Sequence, residues 1–120
     1  MSIIRHKTNA RMSAIAIHNG VVYLAGQTGL TETGAPKTLQ EQARVMLGKV
    51  DALLSEAGSS RSHMLRADIF LRDATDFNAF NEIWDAWIPE GHAPARACLQ
   101  ASIPRQDDLL CELIVTAAVR

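Results

Sequence analysis

Leu109-Leu110-Cys111-Glu112-Leu113-Ile114-Val115-Thr116-Ala117-Ala118-Val119 carries one charge in eleven residues, and it decides the fold. At strand periodicity Cys111, Leu113, Val115, Ala117 and Val119 share one face, and Leu110, Ile114 and Ala118 share the other. A strand apolar on both faces expects cover on both. What the rest of the chain can supply as cover therefore sets the architecture.

Working outward, Pro104-Arg105-Gln106-Asp107-Asp108 joins this strand to another, Ala95 to Ile103. Pro89 and Gly91 precede that strand and close a helix that begins near Asp73 to Asp76. Phe77, Phe80, Ile83, Trp84, Trp87 and Ile88 form its apolar side. Before it, His63 to Arg72 alternates: Leu65, Ala67, Ile69 and Leu71 on one face, Arg66, Asp68, Phe70 and Arg72 on the other. Upstream, Thr38-Leu39-Gln40-Glu41 is a capping-box start. Leu39, Ala43, Met46, Leu47, Val50, Leu53, Leu54 and Ala57 recur at helical spacing until Gly58 stops a helix of about 20 residues. Ala14 to His18, Asn19-Gly20 and Val21 to Ala25 read as a hairpin with a type I′ turn. Gly26, Gly29 and Gly34 mark strand end and loop.

The order is β-β-α-β-α-β-β, and a short strand at Ile3 to Arg5 can precede it. This is an α+β single sheet with two helices on one face, in one domain spanning residues 1–120. No third helix is available for the second face. Another copy of the chain is the simplest cover, so the sequence predicts a homo-oligomer with its open sheet face at the interface. Ligand sites form readily where loops and charges of two chains converge.

Composition narrows the function. A chain of 120 residues supports one core, and 48% hydrophobic with 21% charged residues is ordinary for a globular domain. The formal net charge of −1, without a Lys/Arg cluster, gives no footprint for nucleic acid. No apolar run reaches the roughly 18–20 residues that cross a bilayer. The start of the chain lacks a signal-peptide core, and Cys98 and Cys111 have no CxxC spacing, so they read as reduced, small apolar residues. These features predict a cytoplasmic protein.

Ala93-Pro94-Ala95-Arg96-Ala97-Cys98-Leu99 sets one guanidinium at the mouth of an apolar strand. Arg96 is either an ion-pair partner of Glu112 or a clamp for a ligand carboxylate, since its flat fork of donors fits a carboxylate bidentately. Glu112 is costly to bury on an apolar face unless paired or protonated, and such a carboxylate can orient or deprotonate water. Gly26, beside Gln27, either makes a plain turn or lets backbone approach a ligand. Asn81 either points into the core or interface or is exposed. Trp84 and Trp87 read as core or interface. The four histidines are scattered, without metal-ligand spacing. There is no GxSxG or P-loop, and Gly26-Gln27-Thr28-Gly29 lacks dinucleotide spacing.

Three segments carry a resemblance: NGVVYLAGQ (Asn19 to Gln27), DATDFNAFNEIW (Asp73 to Trp84), and APARAC (Ala93 to Cys98) with CELIVTA (Cys111 to Ala117). In combination they resemble the YjgF/RidA family of reactive-intermediate deaminases over nearly the whole chain. Asp85-Ala86-Trp87 and Gly91-His92-Ala93-Pro94 resemble a YoaB-like branch more than RidA proper. The resemblance implies a chorismate-mutase-like α+β fold and a homotrimer with sites at the subunit interfaces. It implies deamination of 2-imino and 2-enamino acids of the 2-aminoacrylate type to 2-keto acids and ammonia.

By the same resemblance, Arg96 binds the substrate carboxylate and Glu112 positions the attacking water. The Cys98 backbone lies against the substrate nitrogen. Asn81 is a pocket residue, and Ala25 and Gly26 form a pocket wall. No metal or organic cofactor is expected, and neither nucleic acid nor membrane is an expected partner. Several positions depart from the family pattern. Met12 stands where many members have a tyrosine, Ala25 replaces a serine, and Gly29 stands at a common proline. Pro104 arrives one residue early, and Ile114 replaces the second glutamate of a VEIE-like strand. Two other readings follow from the resemblance: a pocket that binds 2-keto or short carboxylic acids without turnover, and a translation-inhibitor or chaperone-like role.

Overall fold

The computed structural model describes residues 2–104 and 108–120. Among these, the elements in chain order are β1 (Ile4–Thr8), β2 (Ser13–His18), β3 (Val21–Leu24), β4 (Gln27–Thr28), α1 (Leu39–Glu56), β5 (Met64–Leu71), α2 (Phe77–Trp87), β6 (Ala95–Gln100) and β7 (Cys111–Ala118). The strands form one mixed sheet in the order β1-β2-β3-β7-β5-β6, with β4 also paired to β7. β5 and β6 run parallel, with α2 as their crossover. The other pairs are antiparallel.

Local chemistry sets most boundaries as expected. Asn19 and Gly20 take φ of 51° and 77°, the left-handed pair of a tight turn between β2 and β3. The Thr38 hydroxyl accepts the Glu41 N–H at 3.1 Å and donates to the Glu41 carboxylate at 3.0 Å, starting α1. Gly58, at φ 77°, ends it. Leu39, Ala43, Met46, Leu47, Val50, Leu53 and Leu54 of α1 are buried against Cys111, Leu113, Val115 and Ala117 of β7 and Phe80 and Trp84 of α2. The core is thus one sheet face under two helices.

Four expectations need correction. Leu65 is exposed, and Met64 is buried in its place, because the β5–β7 register shifts between Met64 and Arg66. A bulge inserts one residue and reverses the faces beyond it. Phe77 stands at the start of α2 but is 44% exposed rather than packed in the core.

β6 ends at Gln100, not Ile103, and β7 begins at Cys111, not Leu109. Beyond the backbone bonds from Arg72 N–H to the Leu110 carbonyl and from Ala101 N–H to the Leu71 carbonyl, side chains hold the chain there. Arg72 donates from Nη2 to the Ile103 carbonyl and from Nε to the Leu109 carbonyl, both at 2.7 Å. Gln42 Oε1 accepts the Leu110 N–H at 2.8 Å. Residues 105–107 of the connection between β6 and β7 lie outside the described residues. The two-residue β4 is an addition to the expected order.

The open face mixes exposed apolar residues with charge. Tyr23 (51% exposed), Ile114 (38%) and Leu99 (56%) lie on it, beside Glu112 and the Arg66–Asp68 ion pair. Burial in the single chain therefore follows only one side of β7, and the other side has apolar residues without cover.

Candidate functional site

Paired residues in a sheet share a face, so the register places every candidate. Arg96 lies opposite Ala67, and Ala67 opposite the buried Val115. Cys98 follows in the row Leu113–Ile69–Cys98. Arg96 and Cys98 therefore lie on the helix side of the sheet. Glu112 belongs to the row Thr28–Glu112–Phe70–Leu99, on the open side. The two charged candidates occupy opposite faces, and among the described residues they form no ion pair.

Arg96 sits on the outer strand β6, half-buried under α2. Its guanidinium carbon is 5.4 Å from the Trp84 ring centroid and 5.9 Å from that of Phe77. Asn81 lies between these two aromatics on α2, four residues after one and three before the other, so the three share a face. Its Oδ1 is buried and has no hydrogen-bond partner among the described residues. Cys98 is a free thiol. Burial raises its pKa, and the Arg96 guanidinium beside it opposes that rise. Cys111 is pushed up to about 12, by burial and then by the Asp76 carboxylate, so it is an inert core thiol.

Glu112 is positioned by a second bulge. Tyr23 pairs with Thr116, and Gln27 with Leu113. Leu24, Ala25 and Gly26 therefore face only Ile114 and Val115. This turns Gly26 toward Glu112, where an added Cβ would overlap the carboxylate. Ala25 is fixed by donating its N–H to the Ala14 carbonyl at 2.9 Å. Met12 is exposed in the β1–β2 turn, two residues before Ala14, at the same end of the sheet. The structure thus groups Glu112 with Gly26 and Ala25, and Arg96 with Cys98, Phe77, Asn81 and Trp84.

Two features carry the site without a sequence signal of their own. Gln42 is fully buried and uses its whole amide: it donates to the Pro36 carbonyl (2.8 Å) and the Asp108 carbonyl (2.6 Å) and accepts from Leu110. It anchors the chain that enters β7 just before Glu112. The Phe77 and Trp84 contact with Arg96 was hidden inside an ordinary apolar helix stripe. The polar Asn81 within that stripe was its one outward sign. A groove of about 580 Å³ between α1 and α2 is lined by Arg44, Gly48, Asp51, Glu82 and Trp87, among others, and contains neither Arg96 nor Glu112.

Sheet, helices and charges define a small α+β protein with a half-built polar site on each side of one sheet. Comparison with known proteins gives the class its family. The family model described as Endoribonuclease L-PSP matches residues 4–119. The RutC family protein YoaB of Escherichia coli K12 is 41% identical over 107 residues, covering 86% of this chain and 87% of that protein. The crystal structure of NMB1025 from Neisseria meningitidis, a member of the YjgF protein family, has a TM-score of 0.93. It is 37% identical and covers 100% of this chain and 97% of that one. YyfA from Yersinia pestis, of the conserved Rid protein family, has a TM-score of 0.87 at 25% identity, with 98% of both chains covered. The chain belongs to the YjgF/RidA (endoribonuclease L-PSP) family.

Among the described residues, no helix is long and apolar enough to cross a membrane, and no group of three or more His, Cys, Asp or Glu is placed to hold a metal.

Proposed function

We propose that this chain is a deaminase that hydrolyses 2-imino and 2-enamino acids to 2-keto acids and ammonia. It acts as a cytoplasmic homotrimer with each site between two protomers. One observation carries the reading: Arg96 presents a fork of donors with no carboxylate partner among the described residues, and Glu112 lies on the other face. A site that uses both needs two copies of the chain, and the exposed apolar residues Tyr23, Ile114 and Leu99 on the open face suit that assembly.

In this reading Arg96 holds the substrate carboxylate bidentately and fixes the imine carbon in place. Glu112 of the neighbouring protomer takes a proton from water as the oxygen attacks that carbon. The C=N π bond breaks, and its electron pair takes that same proton back from Glu112 as a new N–H bond. Glu112 then carries the proton of the adduct's hydroxyl to the nitrogen, the C–N bond breaks, ammonia leaves and the carbonyl forms. An enamine substrate first tautomerises to the imine. The imine carbon is already electrophilic, so the step needs no cofactor as electron sink. The Cys98 backbone stands against the substrate nitrogen, Asn81 lines the pocket beside Arg96, and Ala25, Gly26 and Met12 line it beside Glu112.

The test generates imines from several amino acids with an amino-acid oxidase and follows their hydrolysis. Arg96→Ala abolishes the acceleration while leaving the assembly intact; full activity in that variant overturns the proposal. Met12 and Ala25, where relatives of this family carry hydroxyls, favour a second reading: the site binds 2-keto acids without turnover. A saturable thermal shift with 2-ketobutyrate and no imine hydrolysis selects it. A net charge of −1 without a basic cluster gives RNA no comparable support as substrate.

A further inference from the structure

Among the described residues, two arginines lie against tryptophan rings, and the difference between them is informative. Arg61 lies 5.2 Å from the Trp87 ring centroid. Two of its in-plane donors are used within the chain: Nε donates to Asp51 Oδ1 at 2.8 Å and Nη1 to the Trp87 carbonyl at 2.9 Å. The Trp87 indole N–H also donates to Asp51, at 3.1 Å. That arginine is a closed structural joint between α1 and the end of α2.

Arg96 has the aromatic contacts without the closure. Trp84 and Phe77 lie against its guanidinium at 5.4 Å and 5.9 Å. Contact with a ring face uses the attraction between cation and π-cloud and leaves the in-plane N–H fork free. A carboxylate partner would have consumed that fork. Phe77 gains little from burial, being 44% exposed at the first position of α2. Its contact with the guanidinium is the feature that distinguishes its place. Trp84, by contrast, is core and cradle at once.

We infer that Phe77 and Trp84 are positioning residues that hold the Arg96 guanidinium ready for a planar oxyanion. This rests on the proposed role of Arg96 as carboxylate clamp. The physical gain is pre-organisation: an arginine fixed before the ligand arrives loses less rotamer freedom on binding.

The test uses the full chain and 2-ketobutyrate as probe, with calorimetric titration and imine-hydrolysis kinetics. Removing one ring face weakens binding by about two- to thirtyfold, the range of a single cation–π contact. Phe77→Leu therefore raises the 2-ketobutyrate Kd and the imine KM within that range, with kcat nearly unchanged and the thermal midpoint at its wild-type value. Phe77→Tyr, which keeps the ring face, returns both constants to wild type. Trp84→Phe likewise holds them closer to wild type than Trp84→Leu. Wild-type affinity in Phe77→Leu, with binding lost in Arg96→Ala, overturns this inference alone. Wild-type affinity in Arg96→Ala, or a wild-type chain that neither binds the keto acid nor hydrolyses imines, overturns the proposed function and this inference with it.

Discussion

Gly26→Ala separates the position of Glu112 from the stability of the fold. Gly26 lies in the bulge between β3 and β4, exposed, and outside the left-handed region occupied by Gly20, Gly34, Gly58 and Gly91. Alanine takes that backbone conformation without strain. The atoms nearest its Cβ all belong to Glu112: the carboxylate first, then Cδ at 3.2 Å and Cγ at 3.5 Å. The carboxylate oxygen has to move by roughly 1 Å to regain an ordinary carbon–oxygen separation. A side chain pushed off its rotamer costs about 0.5–1.5 kcal/mol, which bounds the effect on folding. Misplacing a reacting group by ~1 Å costs about 100-fold in rate. The expected outcome is therefore a kcat for imine hydrolysis reduced about 100-fold. KM changes less, because Arg96 lies on the far face, and the urea midpoint stays close to wild type. The coupled oxidase assay and a urea titration measure both. A kcat within about threefold of wild type, with Glu112 displaced in the variant's structure, refutes the role given to that carboxylate.

Two further predictions concern stability. Gln42→Leu leaves the Pro36 and Asp108 carbonyls and the Leu110 N–H without their side-chain partner. An unsatisfied buried group costs about 1–3 kcal/mol; these three are only partly buried, so at about 1 kcal/mol each urea unfolding should show a loss of about 3 kcal/mol. Cys111 makes stability fall in alkali. Burial keeps its thiol protonated to about pH 12 in the folded chain, against an ordinary value of 9.0. The unfolded chain gives up that proton first. The contribution is whole below pH 9 and declines between pH 9 and 12 by about 1.4 kcal/mol per unit. Urea midpoints at pH 8, 9.5 and 10.5 should fall more steeply for wild type than for Cys111→Ala, and parallel lines would remove the argument.

Periodicity and turn chemistry made the hairpin and both helices legible. Asn19-Gly20, Thr38 with Glu41, and Gly58 each act within a few residues of themselves, so their effect can be read locally. Leu65 could not be placed, because a bulge is a mismatch between two strands and neither strand shows it alone. The same holds for Ala25-Gly26, whose extra residue aims Gly26 at Glu112. The ends of β6 and β7 depended on Gln42 and Arg72, side chains distant in sequence that take over the backbone groups of a sheet ladder. Arg96 and Glu112 were recognisable as a pair of charges in apolar strands, but spacing does not determine relative face. Only the registers Ala67↔Arg96 and Phe70↔Glu112 set them on opposite sides. That separation rules out an ion pair between them within one chain, and the proposed site shared between two copies rests on it.

Subunit mixing tests that shared site most directly. Arg96→Ala and Glu112→Gln are each made alone, then unfolded together in equal amounts and refolded. If each site takes Arg96 from one protomer and Glu112 from its neighbour, random co-assembly rebuilds about one quarter of the sites, half of each partner being intact. Imine hydrolysis at that level, from two parents inactive when refolded separately, is the predicted result. A co-assembled mixture as inactive as its parents would contradict it.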